Sequence, residues 1–93
     1  MNADKFEWND QEAADNYAKH GVSFEMARDV FKDPFAIEHL DDREAYGDDR
    51  YAIIGMVDNR LLFVAYTRGD SIRIISARGA EPHEHRQYHE EGA

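Results

Sequence analysis

Five arginines lie within one stretch of the sequence, residues 50–80. They are Arg50, Arg60, Arg68, Arg73 and Arg78. The guanidinium group is permanently charged, and its planar fork of N–H donors matches the oxygens of a phosphate. This stretch holds five basic and two acidic residues, a net charge of +3, whereas the whole chain has a net charge of −9. The pattern favours an anion site within residues 50–80; pairing of these arginines with the chain's many carboxylates is the alternative.

Histidines near the first glycine and near the C-terminus are candidate proton carriers, because an unperturbed imidazole titrates near pH ~6.5. His20, next to Lys19, is a candidate general acid or base; a cation resting on a helix C-terminus is the alternative. Further candidates are His83, His85 and His89. His85 and His89 have the i, i+4 spacing of ligands on one helix face, but a third ligand is lacking nearby. We therefore predict neither a metal site nor a cofactor.

Length and composition narrow the class of protein. The 93 residues predict a single domain spanning residues 1–93. The absence of cysteine excludes disulfides and thiolate metal sites. Residues 1–10 are polar and acidic, unlike a signal peptide, and the longest apolar runs fall far short of the ~20 residues of a membrane span. We expect a soluble, cytoplasmic protein that does not bind membranes.

The arginine-rich stretch reads as three consecutive strands rich in β-branched and aromatic residues. They are Arg50–Val57, Leu61–Thr67 and Ser71–Arg78. Asp58-Asn59 suits a tight hairpin, and Gly69 suits a three-residue connection. Because short connections join antiparallel neighbours, we predict an antiparallel meander. Strict alternation would place Arg73 on one face of the last strand and Arg78 on the other.

The remaining chain predicts helices and shorter strands around this meander. A helix follows Asn9, a candidate N-cap, and ends at Gly21. A second begins after Ser23 and ends at Asp33-Pro34. The helix faces expected to pack on the sheet are Ala13, Ala14, Tyr17 and Ala18 in the first helix, and Phe24, Ala27, Val30 and Phe31 in the second. Phe6–Trp8 and Phe35–Leu40 are candidate strands, and Asp41–Asp49, with many acids, is a predicted exposed loop. Glu81-Pro82 starts a short C-terminal helix.

The fold class predicted from these elements is α+β. It has an antiparallel sheet, with the central three-strand meander of residues 50–78 plus one or two further strands. Two N-terminal helices pack on this sheet, and a short C-terminal helix completes the domain.

Several separated motifs, spanning about residues 6–80, resemble the BrnT family of bacterial type II toxins. They are FEWND, KHGVSFEMARDVFKDP, RYAIIG, RLLFVAYT and IRIISARGA. The resemblance implies a fold like that of the RelE toxins and a metal-independent ribonuclease that slows translation. It also implies neutralisation by a BrnA-like ribbon-helix-helix antitoxin that binds operator DNA, in a hetero-oligomer built on antitoxin dimers.

Matched residue by residue, the resemblance implies a site made of cations and one histidine. His20, Arg68 and Arg78 are the expected catalytic residues, and Lys19, Arg50 and Arg73 the expected RNA-binding residues. Arg68 and Arg78 would clamp the phosphate and stabilise its charge in the transition state, with Arg50 or Arg73 assisting. The resemblance implies an RNA substrate, either free or presented on the ribosome.

The charge of the C-terminal tail leaves a second class of function open. After Arg78 the chain continues as GAEPHEHRQYHEE, and residues 81–93 hold four acidic residues and one basic residue. Because RNA affinity rests largely on phosphate contacts, an acidic tail opposes RNA binding. The alternative is therefore a catalytically inactive toxin-fold module that acts by binding an antitoxin or regulator. A third possibility is a small acidic regulator without an antitoxin.

Overall fold

A computed structural model describes residues 5–46 and 48–92 of the chain. Residues 1–4, 47 and 93 lie outside it, including part of the polar N-terminus and one residue of the predicted loop. The elements in chain order are β1 (Phe6–Glu7), α1 (Asp10–His20), α2 (Phe24–Asp29) with a 3₁₀ turn (Val30–Lys32), β2 (Ile37–Tyr46), β3 (Asp48–Val57), β4 (Arg60–Arg68), β5 (Ile72–Gly79) and α3 (Pro82–Gln87) with a π-helical turn (Tyr88–Gly92). The predicted α+β class is confirmed.

The five strands form one sheet in the order β1-β5-β4-β3-β2. The β3-β4-β5 meander is antiparallel as predicted, and its first turn has positive φ at Asp58 (50°) and Asn59 (66°), the type I′ geometry of a tight hairpin. The prediction of a purely antiparallel sheet is wrong, because β1 pairs with β5 in the parallel sense. Short connections dictate direction only within the meander; β1 is separated from β5 by most of the chain.

The hairpin of β2 and β3 is longer than predicted. Residues 41–49 are predicted to form a loop, but β2 continues to Tyr46 and β3 begins at Asp48, with a shift of register after Asp41. The prediction rested on polar side chains, whereas ladder hydrogen bonds are made by the backbone and tolerate an acidic sequence.

The sheet has two faces with different covers. The core face packs against α1 and α2, and its buried residues are Ile53, Val57, Leu62, Val64, Tyr66, Ile72, Ile74 and Ala77. On the opposite face, Tyr88 of the π-helical turn packs with Ile54 and Leu61 in a smaller cluster. Because Arg50, Arg73 and Arg78 lie on this second face, we call it the arginine face.

The first helix has the predicted ends but a different buried side. The Asn9 side chain accepts a hydrogen bond from the Glu12 amide (2.9 Å), and Gly21 ends the helix with φ of 69°. The predicted packing face is wrong at Ala14, Tyr17 and Ala18, which are exposed, whereas Asn16 is only 7% exposed. The apolar stripe does not predict the buried side of this helix, because the helix packs against the edge of β5. The backbone N–H and C=O groups of that edge need polar partners.

Asn16 supplies those partners to β5. Its amide nitrogen donates to the carbonyls of Val22 and Ala77 (2.9 Å each), and its amide oxygen accepts from the Ala77 N–H (3.1 Å). Since β1 pairs with β5 only at Ile72 and Arg73, Ala77 lies beyond the end of that ladder. The Asn16 side chain therefore takes the place of a neighbouring strand at Ala77 and joins α1 to β5.

The second helix follows its prediction closely. Ser23 accepts a hydrogen bond from the Met26 amide (3.0 Å), and Phe24, Ala27 and Val30 are fully buried. The 3₁₀ turn reaches β3 where a glycine is required, since a Cβ at Gly55 would lie 2.8 Å from Val30 Cγ1. None of the helices in the described parts of the chain is both long and apolar enough to cross a bilayer.

Candidate functional site

A bulge in β5 decides which arginines share a face. Ala65 of β4 pairs with Ser76, but its neighbour Tyr66 pairs with Ile74, so Ile75 is skipped. The extra residue reverses the alternation of side chains beyond it. Arg73 and Arg78, which strict alternation assigns to opposite faces, therefore lie on the same face.

The pairing partners of the two arginines establish this directly. Arg73 pairs with Thr67 and Arg78 with Phe63, and these two β4 residues are four apart, so their side chains share a face. Arg50 of β3 also pairs with Thr67. Arg50 and Arg73 thus flank Thr67 across three strands, with about 10 Å between the two outer strands. We call Arg50, Arg73 and Arg78 the arginine row; all three side chains are partly buried.

The floor between these arginines is made of small residues. Ala52 pairs with Ala65, and Ala65 pairs with Ser76, so this line of residues lies between the Arg50-Thr67-Arg73 line and Arg78. At its other end His39, exposed on β2, pairs with Ala52. The arginine face therefore presents a low floor bordered by arginine residues, a serine and a histidine.

His39 is a candidate site residue that the sequence by itself does not reveal. Alternation within the predicted strand over residues 35–40 does not show which partner strand lies beside it. The register that brings His39 to Ala52, diagonally next to Arg50, depends on the pairing of β2 with β3.

Arg78 is held by a carboxylate from α3. Its Nη1 and Nη2 donate to Glu84 Oε1 and Oε2, both at 2.9 Å, and Nη1 also donates to the Gly79 carbonyl (3.1 Å). The guanidinium carbon lies 4.2 Å from the centre of the Phe63 ring. Glu84 is only 4% exposed, so this two-bonded ion pair is shielded from water on the α3 side.

The Glu84 carboxylate is ionised in this setting. Burial by itself raises the pKa of this carboxyl, but the hydrogen bonds from Arg78 and from the Glu81 amide (2.8 Å), together with the charges of Arg78 and His83, outweigh burial. The pKa of Glu84 consequently lies below its ordinary value. The bond from Glu81 also ties this carboxylate to the start of α3.

A second polar contact holds the far end of this C-terminal segment. The Tyr88 hydroxyl donates a hydrogen bond to Asp33 Oδ2 (2.7 Å). The Asp33 carboxylate also accepts hydrogen bonds from the backbone N–H groups of Met56 (2.7 Å) and Phe35 (2.9 Å). Burial raises the pKa of Asp33, but these three donors outweigh it and the pKa is lowered. Burial and the Asp33 carboxylate raise the pKa of Tyr88 to about 12. Glu84 and Tyr88 together fasten α3 over one end of the arginine face.

The structure places Arg68 apart from Arg78. Arg68 pairs with Ile72 and so points to the core-face side, where its Nη2 lies 3.1 Å from Glu38 Oε2 and its guanidinium lies 5.8 Å from the Tyr66 ring centre. A depression of about 330 Å³ at the β4-β5 turn has both Arg68 and Arg73 in its wall, together with the acidic Glu7 and Asp70. The expected clamp of Arg68 with Arg78 is not assembled in this arrangement.

The other expected site residues also lie away from the arginine row. Lys19 and His20 form the last turn of α1, in the helix layer that covers the core face. His85 and His89 are exposed on the outer side of the C-terminal segment. Ligand atoms of Glu81, His83 and Glu84 lie within 4.8 Å of one another, but both oxygens of Glu84 already accept hydrogen bonds from Arg78. Glu84 therefore already serves Arg78, which leaves the exposed Glu81 and His83 as the members of this group without a bond to that arginine.

A family model described as the ribonuclease toxin BrnT of type II toxin-antitoxin systems matches residues 8–84. The chain belongs to the BrnT family. The matched span covers the arginine row, the bulge and Glu84, and it ends before the last turn of the chain. A search among curated proteins returned no match. BrnT membership identifies the chain as a ribonuclease toxin of a type II system, which implies an RNA substrate and an antitoxin partner.

Proposed function

We propose that this BrnT chain cleaves RNA on the arginine face without a resident metal ion, and that this cleavage slows translation. The observation that supports this siting is the register that brings Arg50, Arg73 and Arg78 to one face of the sheet, on both sides of a low floor formed by Ala52 and Ala65. A row of guanidinium groups there would bind consecutive phosphates of a single strand.

The reaction requires two proton transfers and a cationic clamp. A base takes the proton of a ribose 2′-hydroxyl, whose oxygen then bonds to the adjacent phosphorus. The bond from phosphorus to the 5′-oxygen breaks, and an acid protonates that oxygen, which leaves a cyclic phosphate on one product. Arginines stabilise the negative charge that grows on the phosphate oxygens in the transition state.

We assign the clamp to Arg73 and Arg78, with Arg50 beside them, and a proton-transfer role to His39. His39 lies in the same face as the row and is exposed to a bound strand. His20 and Arg68, which the family resemblance implies, form the rival assignment, centred on the core-face side and the β4-β5 turn.

The test is cleavage of a single-stranded RNA by the purified chain, freed of any partner, with EDTA present. Arg73→Ala and Arg78→Ala should each slow cleavage about 10²-fold to 10³-fold, by analogy with the loss of one transition-state donor. Arg60→Ala is the matched control, because Arg60 is an exposed arginine at the start of β4. His39→Ala is compared with His20→Ala in the same assay.

The pattern of loss distinguishes the two assignments. The arginine-face site would be contradicted if Arg68→Ala and His20→Ala lost RNA cleavage. In that outcome Arg73→Ala and His39→Ala would stay active. Cleavage abolished by EDTA and restored by a divalent ion would contradict the metal-free reaction.

We also propose that a BrnA-like ribbon-helix-helix antitoxin neutralises the toxin by covering the arginine face with acidic side chains. In the purified complex, Arg73→Glu should weaken binding and Arg60→Glu should not. Equal affinity for both variants at ~0.15 M salt, where Debye screening is about 8 Å, would place the antitoxin elsewhere.

A catalytically inactive binding module is the second candidate, supported by the ion pair that neutralises Arg78 and by the acidic residues 81–93. It predicts that folded wild-type chain cleaves no RNA at low salt, free or on ribosomes, yet still binds the antitoxin. Cleavage that survives EDTA and is lost in Arg73→Ala would exclude it.

A further inference from the structure

We propose that Glu84 is a positioning residue for RNA cleavage, which orients the Arg78 guanidinium and cancels part of its charge. This inference rests on the proposed function, because it assumes that Arg78 contacts the phosphate. It assigns to α3 a part in catalysis, where its packing alone would suggest only a structural cover.

The geometry around Arg78 fixes the plane of the guanidinium. Its Nη1 and Nη2 each donate a hydrogen bond of 2.9 Å to the Glu84 carboxylate, and Nη1 donates a third to the Gly79 carbonyl. The guanidinium carbon lies 4.2 Å from the centre of the Phe63 ring. A long side chain held in this way loses little rotational freedom when it binds a phosphate. Pre-orientation of this kind favours the transition state, where the position of each donor decides how much charge it stabilises.

The Glu84 carboxylate is itself well fixed. It accepts a hydrogen bond from the Glu81 amide at the start of α3. Removal of Glu84 from Arg78 would therefore break the helix start as well as the ion pair. We therefore expect Glu84 to stay hydrogen-bonded to Arg78 when RNA binds, and not to be displaced by the phosphate.

The same carboxylate opposes ground-state binding of RNA. A full negative charge 2.9 Å from Nη1 and Nη2 reduces the attraction of Arg78 for a phosphate. The two effects of Glu84 have opposite signs: its charge weakens RNA binding, whereas its hydrogen bonds speed the chemical step. A residue that served stability alone would not produce this split.

Glu84→Gln separates the two effects. The glutamine amide keeps the size of the side chain and one oxygen acceptor, but it has no negative charge and presents an N–H to one arginine nitrogen. With a fluorescent single-stranded RNA in EDTA, we expect KM to fall and kcat to fall about 10-fold to 100-fold. RNA affinity should also depend more steeply on salt, with a slope that increases by up to about 0.7, because Arg78 then neutralises one phosphate more fully.

Two controls isolate the action through Arg78. Tyr88→Phe loosens α3 at Asp33 without touching Arg78, so its kcat should stay close to that of wild type. In an Arg78→Ala background, Glu84→Gln should change kcat by less than about 2-fold, because the group that Glu84 positions is gone. Thermal unfolding of each variant verifies that it is folded.

The outcomes are distinguishable from failure of the proposed function. No cleavage by wild type would overturn that function and this inference together. Cleavage lost in Arg78→Ala but unchanged in Glu84→Gln would overturn only the inference. A higher kcat in Glu84→Gln would also overturn it, and would show instead that Glu84 competes with the phosphate. An equal loss of kcat in Tyr88→Phe and Glu84→Gln would reduce Glu84 to an anchor of α3.

Discussion

On the core face α2 covers the sheet through apolar side chains and α1 is attached by the neutral amide of Asn16, whereas on the arginine face α3 is held by two ionised carboxylates, Glu84 and Asp33. Both covers are attached to adjacent residues of β5. The neutral amide of Asn16 binds the backbone of Ala77, and the carboxylate of Glu84 binds the side chain of Arg78. One strand thus carries the attachments of both helical layers.

This difference divides stability from function between the two faces. Apolar burial depends on area and changes little with pH or salt, so the core face should supply most of the folding free energy. The arginine face keeps charged groups near water, where they can bind an anion, and fastens its cover with hydrogen bonds to carboxylates. We expect substitutions on the two faces to affect different measurements.

Removal of an aromatic side chain from the core face should have the largest effect on stability. Phe24 is fully buried, so Phe24→Ala should reduce the free energy of unfolding by about 3–5 kcal/mol, through lost burial and a residual cavity. Urea unfolding followed by circular dichroism measures this. Phe35→Ala is the matched control, because Phe35 is 54% exposed; similar losses in both variants would contradict the placement of the core.

Loss of the neutral attachment at Ala77 should cost somewhat less. Asn16→Leu keeps the side-chain volume but leaves a buried N–H and two carbonyls without partners, so we expect a loss of about 2–4 kcal/mol. Gln11→Leu, which replaces an exposed amide on the same helix, should change stability by less than about 0.5 kcal/mol. Equal urea midpoints for the two variants would show that Asn16 does not close the edge of β5.

Acid should release the cover of the arginine face before it affects the core face. The pKa values of Asp33 and Glu84 are lowered in the folded chain from ordinary values of 3.8 and 4.5. Their contribution is therefore present above those ordinary values and is lost as the pH falls through the lower folded values. Hydrogen exchange of the α3 amides should accelerate in that range while Trp8 fluorescence, which reports the core face, stays constant. Simultaneous changes would remove the distinction between the faces.

Loss of one attachment of the C-terminal segment should have a smaller effect. Tyr88→Phe removes a hydrogen bond to a carboxylate and should lower stability by about 1.5–3 kcal/mol. In wild type the stabilisation from this bond is fully present at pH values below the ordinary tyrosine pKa of 10.0. It is lost as the pH rises through the folded-state pKa of about 12. The difference between the absorbance titrations of wild type and Tyr88→Phe gives the ionisation of the Tyr88 hydroxyl. If that difference shows Tyr88 ionising near pH 10.0 in the folded chain, the bond to Asp33 is contradicted.

The exposed ion pair at the border of the core face should contribute least. Arg68 and Glu38 have side chains 42% and 41% exposed, so Glu38→Gln should change the free energy of unfolding by less than about 1 kcal/mol. That small loss should disappear at 1 M salt, where the Debye length is about 3 Å. A larger, salt-insensitive loss would show that this pair supports the sheet as strongly as the carboxylates of Glu84 and Asp33 do.

Local sequence signals predicted much of the fold. The caps Asn9, Ser23 and Gly21 act within a few residues of themselves, and the Asp58-Asn59 turn sets the first hairpin of the meander. Such signals depend on backbone preferences that the residue carries with it. The same holds for the concentration of arginine in residues 50–80, which located the stretch of the candidate site but not its arrangement.

The sequence by itself therefore determined the meander, the helix ends, the acidic balance and the family. Only the tertiary structure decided which arginines meet. The skipped residue Ile75 brings Arg73 and Arg78 to one face of the sheet. Arg68 pairs with the buried Ile72 and therefore points to the other face. Asn16 likewise acquires its partner Ala77 from a segment distant in the chain. The physical reason is that strand register and a bulge are set by pairing between strands, so one inserted residue changes the face of every side chain beyond it.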